Sequence, residues 1–222
     1  AVSDHSAREV ASFHMPGHKG RTTQSLFLTL PNDVTELPGL DDLTYPAGVL
    51  ADLEERGARI WQAGQSIISI NGASAGILAA LLACVRSGKP KLLLPRNAHR
   101  SAVHALVLSG LQPVWYEPTW DETFGLWSTV DARGFAGAIA EHKNELAGAL
   151  VVSPTYTGAL SDICELSALA HDAGIPLVVD QAQGAHLPLH AVACGADVTI
   201  HSLHKTLSGL TQTALIHVAG AH

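Results

Sequence analysis

Short apolar runs recur along this chain with helix-forming or turn-forming stretches between them. Residues 66–70, 91–94, 113–116, 149–153, 176–180, 197–201 and 213–218 are rich in Val, Ile and Leu, and each reads as a strand. Most are apolar without alternation, which predicts strands covered on both faces. Between them, 77–85, 101–109, 133–142 and 162–173 read as helices, the last opened by Ser161 and closed by Gly174. Strands alternating with helices predict an α/β fold, a mainly parallel seven-stranded sheet with helices on both faces. A loop joins the last two strands, which leaves antiparallel pairing open to one of them.

The first fifty residues differ in character. Phe13-His14-Met15-Pro16-Gly17-His18-Lys19-Gly20-Arg21 is a Pro-Gly turn crowded with basic side chains, and the stretch from Thr35 to Leu43 repeats the turn with acids. Neither holds a core of its own. The expectation is an N-terminal arm over 1–50 that lies across a site, its own or a partner subunit's, followed by a main domain over 51–222.

Composition narrows the class of protein. The 222 residues, 47% hydrophobic, suffice for a sizeable core. A net charge of -7, with no run of Lys and Arg longer than two, gives no electrostatic footprint for nucleic acid. No apolar stretch approaches the ~20 residues of a membrane span, and no charged-then-apolar leader opens the chain. These features predict a soluble, cytoplasmic protein. Cys84, Cys164 and Cys194 are odd in number and widely spaced, which suggests neither a disulfide framework nor a zinc site. His201 and His204 lack the Cys or carboxylate partners of a metal centre, so no metal is expected.

The candidate chemistry sits at strand ends. Asp180 closes the apolar run Ile175-Pro176-Leu177-Val178-Val179, at the carboxyl end where open α/β sheets hold ligands. A charge there is costly unless paired. Lys205 follows the next strand through His201-Ser202-Leu203-His204. Earlier, Asn71-Gly72-Ala73-Ser74-Ala75-Gly76 turns a strand into an alanine-rich helix, leaving backbone N–H groups outward for an anion, with Ser74 adding a hydroxyl. An acid, an amine and a phosphate cradle on three strand ends match pyridoxal 5'-phosphate, which bonds a lysine and needs an acid at its ring nitrogen. From the residues alone the reading stops at an enzyme of this cofactor acting on an amino acid.

The chain resembles the fold-type I pyridoxal-phosphate-dependent ornithine/lysine/arginine decarboxylase family, in particular its shorter members. The resemblance rests on 13–20, 35–43, 71–76, Arg96-Asn97-Ala98-His99-Arg100-Ser101, 180–186, and Ser202-Leu203-His204-Lys205 followed by Thr211-Gln212. It implies the aspartate aminotransferase-like major domain, with a further domain expected beyond residue 222. It also implies that Lys205 forms the Schiff base and Asp180 pairs with the ring nitrogen. His99 then stacks on one ring face and Ala182 packs on the other. Ala73 and Ser74 fall at the phosphate-binding pair, and Ser202 and His204 lie near the phosphate. His204 and Lys205 are candidates for returning a proton to Cα.

Two departures mark this chain within the resemblance. Ala73 replaces a hydroxyl residue, removing a charge-assisted hydrogen bond worth about 1.5–3 kcal/mol. Gln181 and Gln183 stand where relatives show Glu and His. The implied activity is decarboxylation of lysine, arginine or ornithine by a homodimer or larger assembly. The cationic side chain would need an anionic partner, for which Glu36, Asp41 and Asp42 stand on the arm. The other readings are a different fold-type I activity, such as an aminotransferase or aldolase, and a non-catalytic paralogue acting as a subunit or regulatory module.

Overall fold

In the computed structural model, which describes residues 41–220, seven strands form one sheet. The basic turn with His14, His18, Lys19 and Arg21, together with Glu36, lies outside the described residues. In chain order the elements are α1 (Val49–Ile60), β1 (Gln65–Ser69), α2 (Gly72–Ala83), β2 (Lys91–Pro95), α3 (Arg100–Ser109) and β3 (Gln112–Tyr116). A two-residue hairpin, β4 (Trp120–Asp121) and β5 (Leu126–Trp127), precedes α4 (Ala132–His142), β6 (Leu146–Val152), α5 (Ile163–Asp172) and β7 (Leu177–Asp180). The chain ends in β8 (Val198–Ser202), the single turn α6 (Leu203–Thr206) and β9 (Ala214–Val218).

The sheet order is β1-β9-β8-β7-β6-β2-β3. The β2/β3, β2/β6, β6/β7 and β7/β8 pairs are parallel. β9 runs against both neighbours, Ser202 opposite Ala214 on one side and Gln65 opposite Val218 on the other. It is therefore the antiparallel strand that the loop connection left open. α2 and α3 cover one face, around Ile77, Leu81, Leu92, Leu94 and Ile200. α4 and α5 cover the other, around Phe135, Ile139, Leu166, Val151 and Val179. Leu92, Leu93 and Leu94 are fully buried, so the continuous apolar run in β2 reflects burial on both faces. Each such side chain contributes about 1.5–3 kcal/mol relative to leaving it in water.

Several elements differ from the sequence pattern. α2 begins at Gly72, five residues before the apolar periodicity at Ile77, because small residues continue the helix into the turn. α1 and the β4–β5 hairpin carry no strong pattern; the hairpin rests on the edge-on pair Trp120 and Trp127, 5.1 Å between ring centres. Asp41 is structural. Its carboxylate accepts the backbone N–H groups of Asp42, Ala47, Gly48 and Leu50 at 2.7–3.0 Å and so caps α1.

The cysteine reading is corrected. Cys164 and Cys194 form a disulfide, and Cys84 is the buried thiol left over. Thirty positions separate the pair in sequence, yet the first turn of α5 and the β7–β8 crossover meet in space. Among the described residues no helix is long and apolar enough to cross a membrane.

Beneath the carboxyl end of the sheet runs a buried polar chain. Ser66 Oγ lies 2.7 Å from His217 Nδ1, and His217 Nε2 lies 2.9 Å from His201 Nδ1. The indole of Trp61 packs on both imidazoles, with ring centres 4.8 and 5.0 Å away. Burial pushes His201 down to about 3 and His217 down to about 4, with mutual repulsion adding at His201. Between the unfolded value near 6.5 and about pH 4 the unfolded chain therefore binds protons that the fold refuses, so stability falls as pH falls through that window. Urea denaturation at pH 7, 6 and 5 should show a loss approaching ~1.4 kcal/mol per pH unit for each histidine. His217→Gln should flatten that dependence; an unchanged slope would refute the assignment.

Candidate active site

Four connections at the carboxyl end of the sheet converge on one cavity of about 220 Å³. Its lining contains all eight residues singled out from the sequence: Ala73, Ser74, His99, Asp180, Ala182, Ser202, His204 and Lys205. β1 leads into α2, which presents Ala73 and Ser74. β2 leads into α3 with His99 at its start, β7 ends at Asp180, and β8 ends at Ser202 before α6 carries His204 and Lys205. A second cavity of about 140 Å³ adjoins it and shares His99, Asp180, Ala182 and Lys205. Together the two reach the scale of a small-molecule site.

The sequence reading assigned no site role to several lining residues. Asn71, Gly72 and Gln212 also face the first cavity, and Asn97, Tyr156 and Gln183 the second. Gly72 and Gln212 both have φ near +72°, and a Cβ on Gly72 would stand 3.7 Å from Gln212 Cα. A non-glycine residue held in this left-handed region costs on the order of 1 kcal/mol or more, the kind of strain that gathers at functional sites. All of these lining residues except Tyr156 fell within the segments that carry the resemblance: 71–76, 96–101, 180–186 and Thr211-Gln212.

Local structure explains the placements. Asn71 stands at the N-cap of α2 without capping it by its side chain, whereas Asp41, His99, Asp131 and Asp162 each take a first-turn N–H of α1, α3, α4 and α5. The first-turn amides of α2 thus keep their donor capacity toward the cavity, an anion site by geometry and dipole. His99 accepts the Ser101 backbone N–H at Nδ1, 3.2 Å away, with Ser101 Oγ at 2.8 Å. A donor at Nδ1 places the ring proton on Nε2 and holds the imidazole in one orientation. Burial lowers the His99 pKa, and Lys205, Arg100 and His104 add to this against the pull of Asp180, so the ring is neutral near pH 7.

Asp180 is 4% exposed, and one carboxylate oxygen accepts the Ala182 N–H at 3.0 Å. Burial raises its pKa; the Ala182 N–H and the charge of Lys205 act in the opposite direction, joined by His99 only when that ring is protonated. A cationic N–H donor at the remaining oxygen would favour the ionised form further. Ser202 is fully buried, its Oγ 3.3 Å from His204 Nδ1. His201 and His204 diverge, the first toward His217 and the second into the cavity. The two glutamines diverge as well. Gln183 faces the second cavity beside Lys205, while Gln181 is 2% exposed and faces a separate cavity behind β7. A larger cavity of about 530 Å³ lies at the amino ends of β7 and β8, but its acid, Asp197, is already occupied by the Leu177 N–H and His171.

Comparison with known proteins agrees with this geometry. The sequence model of the Orn/Lys/Arg decarboxylase major domain matches residues 1–222. The chain belongs to this family. It is 35% identical to the Bacillus subtilis protein YaaO over 98% of its own length and 48% of that protein. It is 33% identical to an arginine decarboxylase of Bacillus cereus over 98% of its length and 50% of the relative's. Among solved structures, the constitutive lysine decarboxylase of E. coli matches with a TM-score of 0.64 and 26% identity, covering 79% of this chain and 28% of that one. The chain spans about half the length of the curated relatives it matches. The fold is that of the fold-type I pyridoxal-phosphate enzymes, and the family implies that cofactor.

The donor set fits it. Uncapped amides and Ser202 suit a phosphate, the buried carboxylate of Asp180 suits a ring N–H, and Lys205 supplies an amine. The position of α2 on the sheet controls this fit. A Cβ on Gly76 would come within 3.1 Å of Ile200 Cγ2 and Ile216 Cγ1. Gly76→Val should therefore lift α2, weaken cofactor uptake and cost about 1–3 kcal/mol of stability. Fluorescence titration with the cofactor and chemical denaturation check both effects.

Proposed function

We propose that the protein is a pyridoxal-phosphate-dependent decarboxylase of a basic amino acid, lysine, arginine or ornithine. The observation that carries the reading is the convergence of Lys205, Asp180, His99 and the uncapped start of α2 on one cavity. Family membership and the arginine and lysine decarboxylases among its relatives support the reaction type. When bound, the cofactor supplies an electron-withdrawing ring that accepts the electron pair released from Cα.

Each residue has a task in this reading. The α2 amides, Ser74 and Ser202 hold the phosphate. Ala73 adds no hydroxyl, so the backbone carries more of that load. Asp180, with one oxygen held by Ala182, would accept the ring N–H through the other and keep that nitrogen protonated. His99 and Ala182 would bound the two faces of the ring and so orient the substrate for loss of its carboxylate. Lys205 faces both cavities and is positioned to hold the cofactor by its amine and then to return a proton at Cα from Nζ. His204, hydrogen-bonded to Ser202, orients the phosphate end. Gln183 and Tyr156 flank the substrate side, with Tyr156 89% exposed at its mouth.

The reading extends to a cytoplasmic enzyme assembled from two or more copies. The exposed Val107 and Leu108 on α3, the helix that His99 opens, support an apolar contact there. The arm over 1–50 and the main domain over 51–222 belong to the same proposal.

Borohydride reduction should trap labelled cofactor on Lys205, and Lys205→Ala should abolish both the trapped label and the visible absorption. Label on another lysine would overturn the assignment. Asp180→Asn should retain the cofactor yet slow turnover at least roughly 100-fold, the scale of losing one key electrostatic stabiliser. The reaction itself is tested by CO2 release from a panel of labelled amino acids. Release from lysine, arginine or ornithine is expected; release from acidic or aromatic amino acids, or amino transfer without CO2, would refute it.

A further inference from the structure

Cys164 and Cys194 take no part in the proposed reaction, yet they join two segments that meet beside it. Cys164 lies in the first turn of α5, and Ser167 follows one turn later. A Cβ on Gly195 would stand 3.0 Å from Ser167 Cβ, so α5 and the β7–β8 crossover touch at two successive points, Cys164 with Cys194 and Ser167 with Gly195. The two cysteine Cα atoms are 4.4 Å apart, within reach of a disulfide.

The crossover spans 181–197 and holds no regular helix. Turn hydrogen bonds tie it internally, from Gly184 N–H to the Gln181 carbonyl, Leu187 N–H to Gly184, and Cys194 N–H to His190. A connection of this length without secondary structure is unusual in a compact domain and often functional. It begins with Gln181, Ala182 and Gln183. Ala182 and Gln183 line the cofactor and substrate cavities, while Gln181 lines a third cavity of about 210 Å³ that the two cysteines also line. Gln181 Oε1 is buried there without a hydrogen-bond partner, so its placement depends on packing alone.

Reactivity also separates the three cysteines. Cys164 is exposed and Cys194 half-buried, within reach of small molecules. Cys84 is 6% exposed, donates to the Ala80 carbonyl, and burial pushes its thiol up to about 11.

We propose that Cys164 and Cys194 form a reversible thiol–disulfide site that exchanges with a low-molecular-weight disulfide, and that its state sets cofactor affinity through the crossover. One cysteine thiolate attacks the small disulfide, forming a mixed disulfide and releasing one small thiol. The second cysteine then attacks the protein sulfur of that mixed disulfide, closing Cys164–Cys194 and releasing the second thiol. The protein loses two electrons and two protons, and the small disulfide gains both as two thiols. A disulfide that opens and closes reversibly is a known form of redox sensing. Closure clamps the crossover against α5 and fixes Ala182 and Gln183; opening leaves them to the turn hydrogen bonds. The effect on the cofactor rests on the functional reading above; the thiol chemistry does not.

The test uses the full chain equilibrated in mixtures of reduced and oxidised glutathione. Samples are alkylated and digested for mass spectrometry, and pyridoxal phosphate affinity is measured on the same samples. A Cys164–Cys194 linked peptide should form and disappear reversibly while Cys84 stays unlinked. The reduced protein should bind the cofactor several-fold more weakly than the oxidised one, and Cys194→Ser should match the reduced protein in both buffers. Comparison of the two states of the unaltered protein needs no variant. Absence of the linked peptide would overturn the site, and equal affinity in the two states would overturn the coupling. Failure to take up pyridoxal phosphate in either state would refute the functional reading and the coupling, while the linked peptide would still decide the thiol site.

Discussion

Keeping the Asp180 carboxylate out of water is the constraint around which this end of the molecule is arranged. A buried carboxylate costs several kcal/mol unless hydrogen bonds and opposite charge offset it. Here one oxygen takes the Ala182 N–H, and Lys205 favours the charged form from across the cavity, but burial still dominates and raises the pKa. The parallel sheet dictates this position. β7 is covered on both faces and flanked by β6 and β8, so a residue at its carboxyl end is desolvated by its neighbours whatever its identity. A cationic ring nitrogen is the kind of partner that turns this cost into selective binding.

The opposite end of the cavity works by the reverse means. Asp180 is a buried charge that needs a cation, and the start of α2 is a set of donors that needs an anion. The absence of a side chain at Gly76 lets α2 approach Ile200 and Ile216 closely, and the absence of a capping side chain at Asn71 leaves its first turn unsatisfied. A capping side chain at Asn71 would favour helix stability and disfavour binding, whereas Gly76 serves both. Ala73 fits the same logic, since a site built on backbone donors tolerates the loss of one hydroxyl better than a site built on side chains.

The far face of the sheet shows how closely a stability feature and a site feature share the same strand. β8 turns Ser202 into the cavity and His201 away from it, where Trp61 and His217 enclose the ring. Alternation along one strand thus places a cavity-lining serine and a buried, neutral histidine side by side. Acidification would strain this histidine, which links the acid limit of the fold to the strand that leads into Lys205.

By itself the sequence determined the α/β class, the run of strands and most helices, because burial on both faces leaves continuous apolar stretches that need no partner to be seen. It also marked Asp180 and Lys205, since charges closing apolar strands are conspicuous, and the motif resemblance brought in His99, Ala182 and Ser202. Tertiary structure alone decided the rest. The direction of β9 depends on pairing with β8 across a loop and with β1, a strand distant in sequence. The Cys164–Cys194 disulfide arises where α5 crosses a connection thirty positions later, and spacing carries no trace of it. Gln181 and Gln183 look equivalent in sequence, yet the strand end sends them into different cavities. Such facts lie in long-range contacts, and a chain read residue by residue contains only local ones.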